Sequence, residues 1–261
     1  MSLGSWAAKR VLYHSGLLAL ARLARARMRG LVLRYHAVTD GPEPTVVLLD
    51  TAGARCQARQ NTAGEPRDDL QFDDVFPLSS APLPAETPAD VLQLGGALLR
   101  SAQIAGATQA VLDMTTRYAT ERVQFGKPIG AFQALQQQIA VLAEHAGATA
   151  VAAECAFAQS LDAAGGFATL PIAAAKVCSA EAASLAASVA HTVHGAIGFT
   201  HEHALHLSTR RLWSWRSEFG NATAWSQRLG QAVCGAGAAA LWPALTACRL
   251  SFPAQRQGVQ A

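Results

Sequence analysis

The first 39 positions contain no acidic residue, no Cys-x-x-Cys pair occurs anywhere in the chain, and only 15% of the 261 residues are charged. Each absence closes off a class of function. Five cysteines at 56, 155, 178, 234 and 248 are odd in number and widely spaced, which argues against a disulfide framework and against zinc. They read as isolated buried thiols in a reducing compartment, so a cytoplasmic location is expected. Low charge combined with a 51% hydrophobic fraction excludes a disordered chain and implies a large buried or subunit-facing surface. The acid-free N-terminus holds Lys9, Arg10, Arg22, Arg25, Arg27, Arg29 and Arg34, leaving 14 basic against 18 acidic residues in the rest. A nucleic-acid partner is therefore excluded for the body of the protein. No apolar run reaches the length of a bilayer span. The apolar stretches near Val11 and Leu17 are interrupted by arginines and read as a surface helix rather than a targeting signal.

The histidines are not spaced for a metal. His201-Glu202-His203 would place its two imidazoles on different faces of a helix, and no His-Glu-x-x-His occurs. His191, His194, His201, His203 and His206 are expected at a surface or interface.

Three regions differ in texture. Residues 1–39 form a basic segment, with Arg29 to Val38 passing from a helix into one short strand. The Tyr35-His36 pair there is similar to one in polysaccharide deacetylases. The Asp and His motifs of that family do not follow, so His36 is assigned no metal role. Residues 40–88 suggest a partial β-domain: Thr45 to Asp50 is a buried run, Asp68 to Phe76 alternates, and Pro77 to Pro88 is a proline-rich linker. Residues 89–261 read as helical. Val91, Leu98, Ala105, Leu112 and Ala119 recur every seven residues, flanked by Ile104, Val111 and Tyr118, giving a long apolar stripe. Leu135, Ile139, Leu142, Ala146, Ala150, Ala153 and Phe157 repeat the pattern before Asp162–Gly166 ends it. A third helix starts near Pro171, with Cys178, Ala182, Leu185, Val189 and Val193 on one face. The last helices fall near His203–Trp215 and Asn221–Leu245. Many alanines at the contact positions allow close approach, and an antiparallel four-helix bundle is the economical arrangement.

One stretch carries more information than the rest: Arg117-Tyr118-Ala119-Thr120-Glu121-Arg122-Val123-Gln124-Phe125-Gly126-Lys127-Pro128-Ile129-Gly130-Ala131-Phe132-Gln133. A helix ending in arginine meets a Gly/Pro-punctuated turn, and a second helix then begins. Arg122, Gln124 and the N–H groups of the new helix are a suitable set for an anionic cofactor. A second stretch, His194-Gly195-Ala196-Ile197-Gly198-Phe199-Thr200, has glycines that let the backbone approach a ligand. Together these resemble the acyl-CoA dehydrogenase family over roughly residues 45 to 240, including Tyr118 and the Gln133–Gln136 region. The resemblance implies a mainly α fold, an antiparallel four-helix bundle preceded by part of a small β-domain.

It also implies FAD. Arg122, Gln124, Phe125 and Gln133 match the segment that holds the pyrophosphate, with the arginine reaching the flavin of a neighbouring subunit. Thr192, Gly195 and Ala196 fall where the family contacts the adenine end, Thr192 standing where glutamine is frequent and Ala196 where glycine is. The implied reaction is α,β-desaturation of an acyl-CoA thioester: a carboxylate takes the α-proton and the β-hydride passes to the flavin. The family places that base in one of two positions. Early in the first bundle helix this chain has Gly95-Gly96-Ala97; after Arg210–Trp215 it has Glu218, the candidate base, with Phe219 between it and Gly220. The family's N-terminal helical domain and first half of its β-domain find no match in this sequence. A homo- or hetero-oligomer with dehydrogenase subunits is thus expected, with electron-transfer flavoprotein as electron acceptor. The alternative is a non-catalytic subunit or fragment docking on a complete dehydrogenase.

Overall fold

The computed structural model describes residues 31–35, 45–51, 54–82, 90–159 and 168–247. Two compact units are present, Met1–Leu92 and Gln93–Ala261.

In the first unit β1 (Leu31–Tyr35), β2 (Thr45–Leu49) and β5 (Ser79–Pro82) form an antiparallel sheet in the order β1-β2-β5. Leu31 pairs with Leu49 and Tyr35 with Thr45, while Thr45 also faces Pro82. The basic segment expected to stand apart thus contributes an edge strand; His36 lies outside the described residues. Part of the expected linker is also a strand. Pro82 sits at the end of β5, where a missing N–H is tolerated. β3 (Arg55–Gln57) and β4 (Asp69–Gln71) form a second antiparallel pair. Between them Asn61 closes a turn by accepting from the N–H groups of Ala63 and Glu65 at 3.0 and 2.9 Å. The strand expected over 68–76 stops at Gln71, and Asp74 soon after takes a φ of 51°, outside any strand. Leu70 and Phe72 form the small core, with Leu49, Ala54 and Val75 around them.

The second unit is helical: α1 (Val91–Glu121), α2 (Gln133–Gln159), α3 (Thr169–His194), α4 (Leu205–Trp215), α5 (Ala222–Ala236) and α6 (Ala238–Ala247). No strand occurs within 98–119 or within the described part of 131–160. The fold is mainly α, with small sheets ahead of the helices. α3 is the central element and packs on α2, α4 and α5. Alanine makes up more than half of its buried residues, among them Ala173, Ala183, Ala186 and Ala190, and α2 answers with Ala146, Ala153 and Ala156. Small side chains on both faces bring these two backbones close. Leu94, Ile104, Leu142, Ile172, Leu205 and Leu212 are fully buried around that axis. Each contributes roughly 1.5–3 kcal/mol.

Most of the expected stripe of α1 is buried, with Leu98, Ala105 and Ala119 of its row and the flanking Ile104 and Val111 in the core, but the buried face is wider than expected. Leu94, Ala97, Ser101, Ile104, Thr108, Val111 and Thr115 are buried, whereas Val91 and Leu112 are only partly so. Three hydroxyls hid this row from a hydrophobic pattern. Ser101 and Thr115 bury at little cost because each donates to the carbonyl four residues back, at 2.8 and 2.7 Å.

Three further expectations are corrected. The last helix is two helices, broken at Gly237, whose φ of 82° no helix accommodates. The cysteines are free, but Cys56, Cys155 and Cys234 are exposed and Cys178 half-buried; Cys248 lies outside the described residues. Finally, the α2 and α3 regions are each apolar and long enough to cross a membrane by length and composition alone. Alanine, rather than a run of large apolar residues, supplies that apolarity. In α3 the bundle core accounts for it; α2 is less buried and exposes Glu144 and Glu154.

Candidate functional site

The turn after α1 is a two-residue hairpin. β6 (Val123–Gln124) pairs with β7 (Lys127–Pro128), and both central residues, Phe125 and Gly126, have positive φ, 52° and 78°. That backbone is the type I′ turn, whose twist matches its strands and which asparagine or glycine normally occupies. A phenylalanine in this position is costly, and its ring is 90% exposed. The hairpin is tied to the helix by Ile129 N–H donating to the Arg122 carbonyl at 2.8 Å. A 3₁₀ turn at Ile129–Ala131 then leads into α2.

Arg122 is exposed, and among the described residues its guanidinium has no ion-pair partner. Gln133 opens α2 and is also exposed, beside N–H groups that a helix start leaves without intrahelical acceptors. Gln124 turns its side-chain amide back to the Val123 carbonyl at 2.9 Å. Phe125 meets Phe132 edge-on with centroids 6.0 Å apart, and Lys127 lies over Phe132 at 4.4 Å.

The second motif reaches the same end of the bundle. α3 ends at Gly195, whose φ of 62° and N–H bond to the His191 carbonyl close the helix. A 3₁₀ turn, Gly195–Phe199, follows. Ala119, Ile129 and Val193 form one buried cluster, and Tyr118 stacks on His194 at 4.5 Å. The hairpin and the Gly195 turn are therefore anchored to each other. Gly195 and Ala196 are exposed, and Thr192 donates to the Ser188 carbonyl at 2.9 Å. Gly198 does not serve ligand approach. A Cβ there would come within 2.9 Å of His194 Cβ and 3.2 Å of Leu205, so its absence serves internal packing.

The histidines also depart from expectation, for His194 is buried and His191 half-buried. His194 Nδ1 donates to the Ala190 carbonyl at 2.7 Å, and His191 Nε2 meets the Thr209 hydroxyl at 3.1 Å. Desolvation lowers the pKa of both. Among the described residues no cluster of three or more His, Cys, Asp or Glu side chains could hold a metal.

Glu218 lies elsewhere. Arg100, on α1, holds its Oε2 through Nε at 2.7 Å and Nη2 at 2.6 Å, while Ser214 donates to Oε1 at 3.3 Å. Arg100 and Arg122 are separated by most of α1, about 30 Å at 1.5 Å per residue. Glu218 and the Arg122 hairpin of one chain thus sit at opposite ends of that helix. Beside Glu218, Phe219 has a φ of 57° and its carbonyl accepts from Trp225 Nε1 at 2.9 Å. Its ring lies directly over Gly96, where any Cβ would overlap it. The two sequence positions implied for a base, near Gly96 and near Glu218, are therefore adjacent in space, and a phenyl ring fills the point where they meet.

Pattern reading passed over the second buried cation here. Lys176, the lone Lys or Arg of α3, donates to the carbonyls of Trp215 at 3.3 Å and Arg216 at 2.8 Å. These carbonyls close the end of α4, that of Trp215 also accepting from Glu218 N–H at 3.2 Å, so the lysine acts as a tertiary C-cap. Burial pushes its pKa down to about 8, with Glu218 opposing and Arg100 adding to the fall. Between pH 8 and 10.5 the unfolded chain binds the proton and the folded one does not, so stability rises with pH across that window. Urea unfolding at pH 8 and 10.5 should show this rise, on the order of 3 kcal/mol at most. The same comparison in Lys176→Met should lack it; an unchanged difference would mean the lysine is not desolvated.

Comparison with known proteins decides the family. Residues 95–222 match the family model described as "Acyl-CoA dehydrogenase, C-terminal domain". The chain belongs to the acyl-CoA dehydrogenase family through this domain. It is 34% identical over 203 residues to the acyl-CoA dehydrogenase IpdE2 of Mycobacterium tuberculosis, covering 74% of this chain and 59% of that one. Among solved structures, a glutaryl-coenzyme A dehydrogenase in complex with glutaryl-CoA aligns with a TM-score of 0.70 at 24% identity, over 81% of this chain and 56% of that one. The ChsE4-ChsE5 complex from Mycobacterium tuberculosis aligns with a TM-score of 0.67 at 22% identity, over 80% and 57% respectively. The chain thus spans a little over half the length of these relatives.

Proposed function

We propose that this chain is a subunit of an FAD-dependent acyl-CoA dehydrogenase and supplies the pyrophosphate- and adenine-facing edge of a cofactor site shared with a partner subunit. One observation carries the reading: Arg122, exposed and without an ion-pair partner among the described residues, is held beside the Gly195 turn by the Tyr118–His194 stack. The donor set fits a dinucleotide. Arg122 and the first N–H groups of α2 suit a pyrophosphate, and the open backbone at Gly195 and Ala196 suits a flat base. Phe125 and Gln133 border the same edge, with Gln124 and Thr192 on its rim. Bound there, FAD supplies a hydride acceptor for α,β-desaturation of an acyl-CoA thioester. The chain's own part is to bind and orient the phosphates by charge-assisted hydrogen bonds.

The partner follows from distance. With about 30 Å between Glu218 and the hairpin, one chain cannot both hold the pyrophosphate and remove the substrate proton on the same cofactor. The existence of the ChsE4-ChsE5 complex among structural relatives supports a two-chain arrangement. A second reading, a non-catalytic subunit, is favoured by Phe219, whose ring closes over Gly96 where a carboxylate would be needed. On that reading Glu218 is an ion-pair anchor for Arg100.

Flavin absorbance of the chain, purified with and without a co-expressed complete dehydrogenase subunit, tests the proposal. In the assembled complex Arg122→Ala should weaken FAD binding ten- to a hundredfold, about 1.5–3 kcal/mol. Unchanged FAD occupancy would remove the cofactor role. Glu218→Gln separates the two readings: lost turnover with normal assembly supports a base, retained turnover supports the anchor.

A further inference from the structure

His194 occupies a position that only an uncharged imidazole suits. Its Nδ1–H is used on the Ala190 carbonyl, which leaves Nε2 as the acceptor nitrogen, and Nε2 is buried without a hydrogen-bond partner among the described residues. One ring face stacks on Tyr118 at 4.5 Å, and His203 meets it at 4.8 Å in an edge contact. His203 in turn touches Tyr118 at 6.2 Å. The ring is thus clamped between the end of α1 and the segment that leads into α4.

The groups on each packed element give the ring aromatic contacts and no acidic partner. α1 presents Tyr118; its Arg117, Glu121 and Arg122 are exposed. The hairpin's Lys127 is taken up over Phe132. On α3, His191 lies one turn earlier, stacked on Phe199 at 4.3 Å, with its own Nδ1 buried and unpartnered. From residues 195–204 come His203 and, at the surface, His201 and Glu202. From α4 come His206, which donates to the His203 carbonyl at 2.7 Å, and the exposed Arg210. No carboxylate among the described residues pairs with His194. A proton on Nε2 would therefore create a buried N–H without an acceptor, beside two further imidazoles.

We propose that His194 is a pH-sensitive positioning residue: its neutral ring docks the segment 195–204 against Tyr118, and its protonation releases that segment while the long helices stay folded. Release is local because the contact is made at the bundle's end. The turn holding Gly195 and Ala196 would be freed from the helix end that carries Arg122, so the two motifs would lose their fixed spacing. The lowered affinity of His194 and His191 for protons, caused first by desolvation, agrees with this and sets the sign. The docked state binds fewer protons than the released one, so docking is complete above the ordinary histidine range near pH 6.5 and is lost as pH falls below it.

Hydrogen exchange of the full chain, corrected for intrinsic rates, tests this without any ligand. Between pH 7.5 and pH 5, protection of amides in 195–204 should fall at least tenfold while residues 98–115 of α1 keep theirs. His194→Phe retains a ring against Tyr118 but cannot take a proton, so most of that pH dependence should vanish. His194 ring signals in the wild-type NMR spectrum give a second readout, independent of any variant. They should titrate below the free histidine value and in step with the amide shifts of 195–204. Constant protection of 195–204 across this range, or equal pH dependence in His194→Phe, overturns the proposal. So does a His194 titration at the free value with no accompanying shift in 195–204.

Discussion

Replacing Arg100 by methionine should lower the stability of the helical unit by about 3–5 kcal/mol, measured by urea unfolding with tryptophan fluorescence. Methionine keeps most of the buried stem but removes the guanidinium. Glu218 then loses both bonds to Oε2 and is left partly buried, and Arg100 also gives up Gln103 and its position over the Trp215 ring at 5.1 Å. Lys176 is the remaining nearby cation, so the loss should fall toward the lower end. Removing both members of the pair, as Arg100→Met with Glu218→Leu, should cost less than Arg100→Met alone, because no carboxylate is left without its guanidinium, while Lys176 keeps its bonds to the Trp215 and Arg216 carbonyls. A single-variant loss below about 1 kcal/mol would show that the ion pair is not holding the turn.

Gly96→Val should destabilise the same unit by about 3 kcal/mol, from overpacking against a ring that has no room to retreat. Phe219 is constrained on two sides. Its carbonyl is bonded to Trp225, and the following Gly220, with a φ of 99°, lies so close to Trp225 that a Cβ there would come within 2.6 Å of the indole nitrogen. Truncation of the ring in Gly96→Val with Phe219→Ala should recover part of the loss, giving a coupling energy on the order of 1 kcal/mol or more. Additive effects of the two substitutions would mean that the ring and the helix do not press on each other. The result also bears on function, since this contact closes the place where a carboxylate would otherwise stand.

Much of the helical unit was legible because it rests on local chemistry. The apolar spacing of Leu142, Ala146 and Ala153 marks a helix face, and the Gly126–Pro128 punctuation marks a break wherever it occurs. The helix placed near Asn221 does start there, and the structure adds the cap, the Asn221 side chain accepting from Ala224 N–H at 2.8 Å. The β-region was less legible. β5 has few strand-forming residues, and Ser79–Pro82 becomes a strand because β2 offers it an edge to pair with. The buried face of α1 was read too narrowly because Ser101 and Thr115 satisfy their own hydroxyls and then bury like small apolar residues.

What the sequence by itself determined is the set of elements and the two motifs, because both depend on residues close in the chain. Helix periodicity, the Arg122 hairpin and the Gly195 helix end all follow from short-range sterics and hydrogen bonding. Only the tertiary structure decided which of these come together. It joined Tyr118 to His194 across 76 positions and so brought the hairpin and the Gly195 turn to one end of the bundle. It carried Glu218 to the other end, paired it with Arg100, and set Phe219 over Gly96. Those pairings depend on how buried side chains and unpaired polar groups find partners between helices, and no spacing along the chain encodes that.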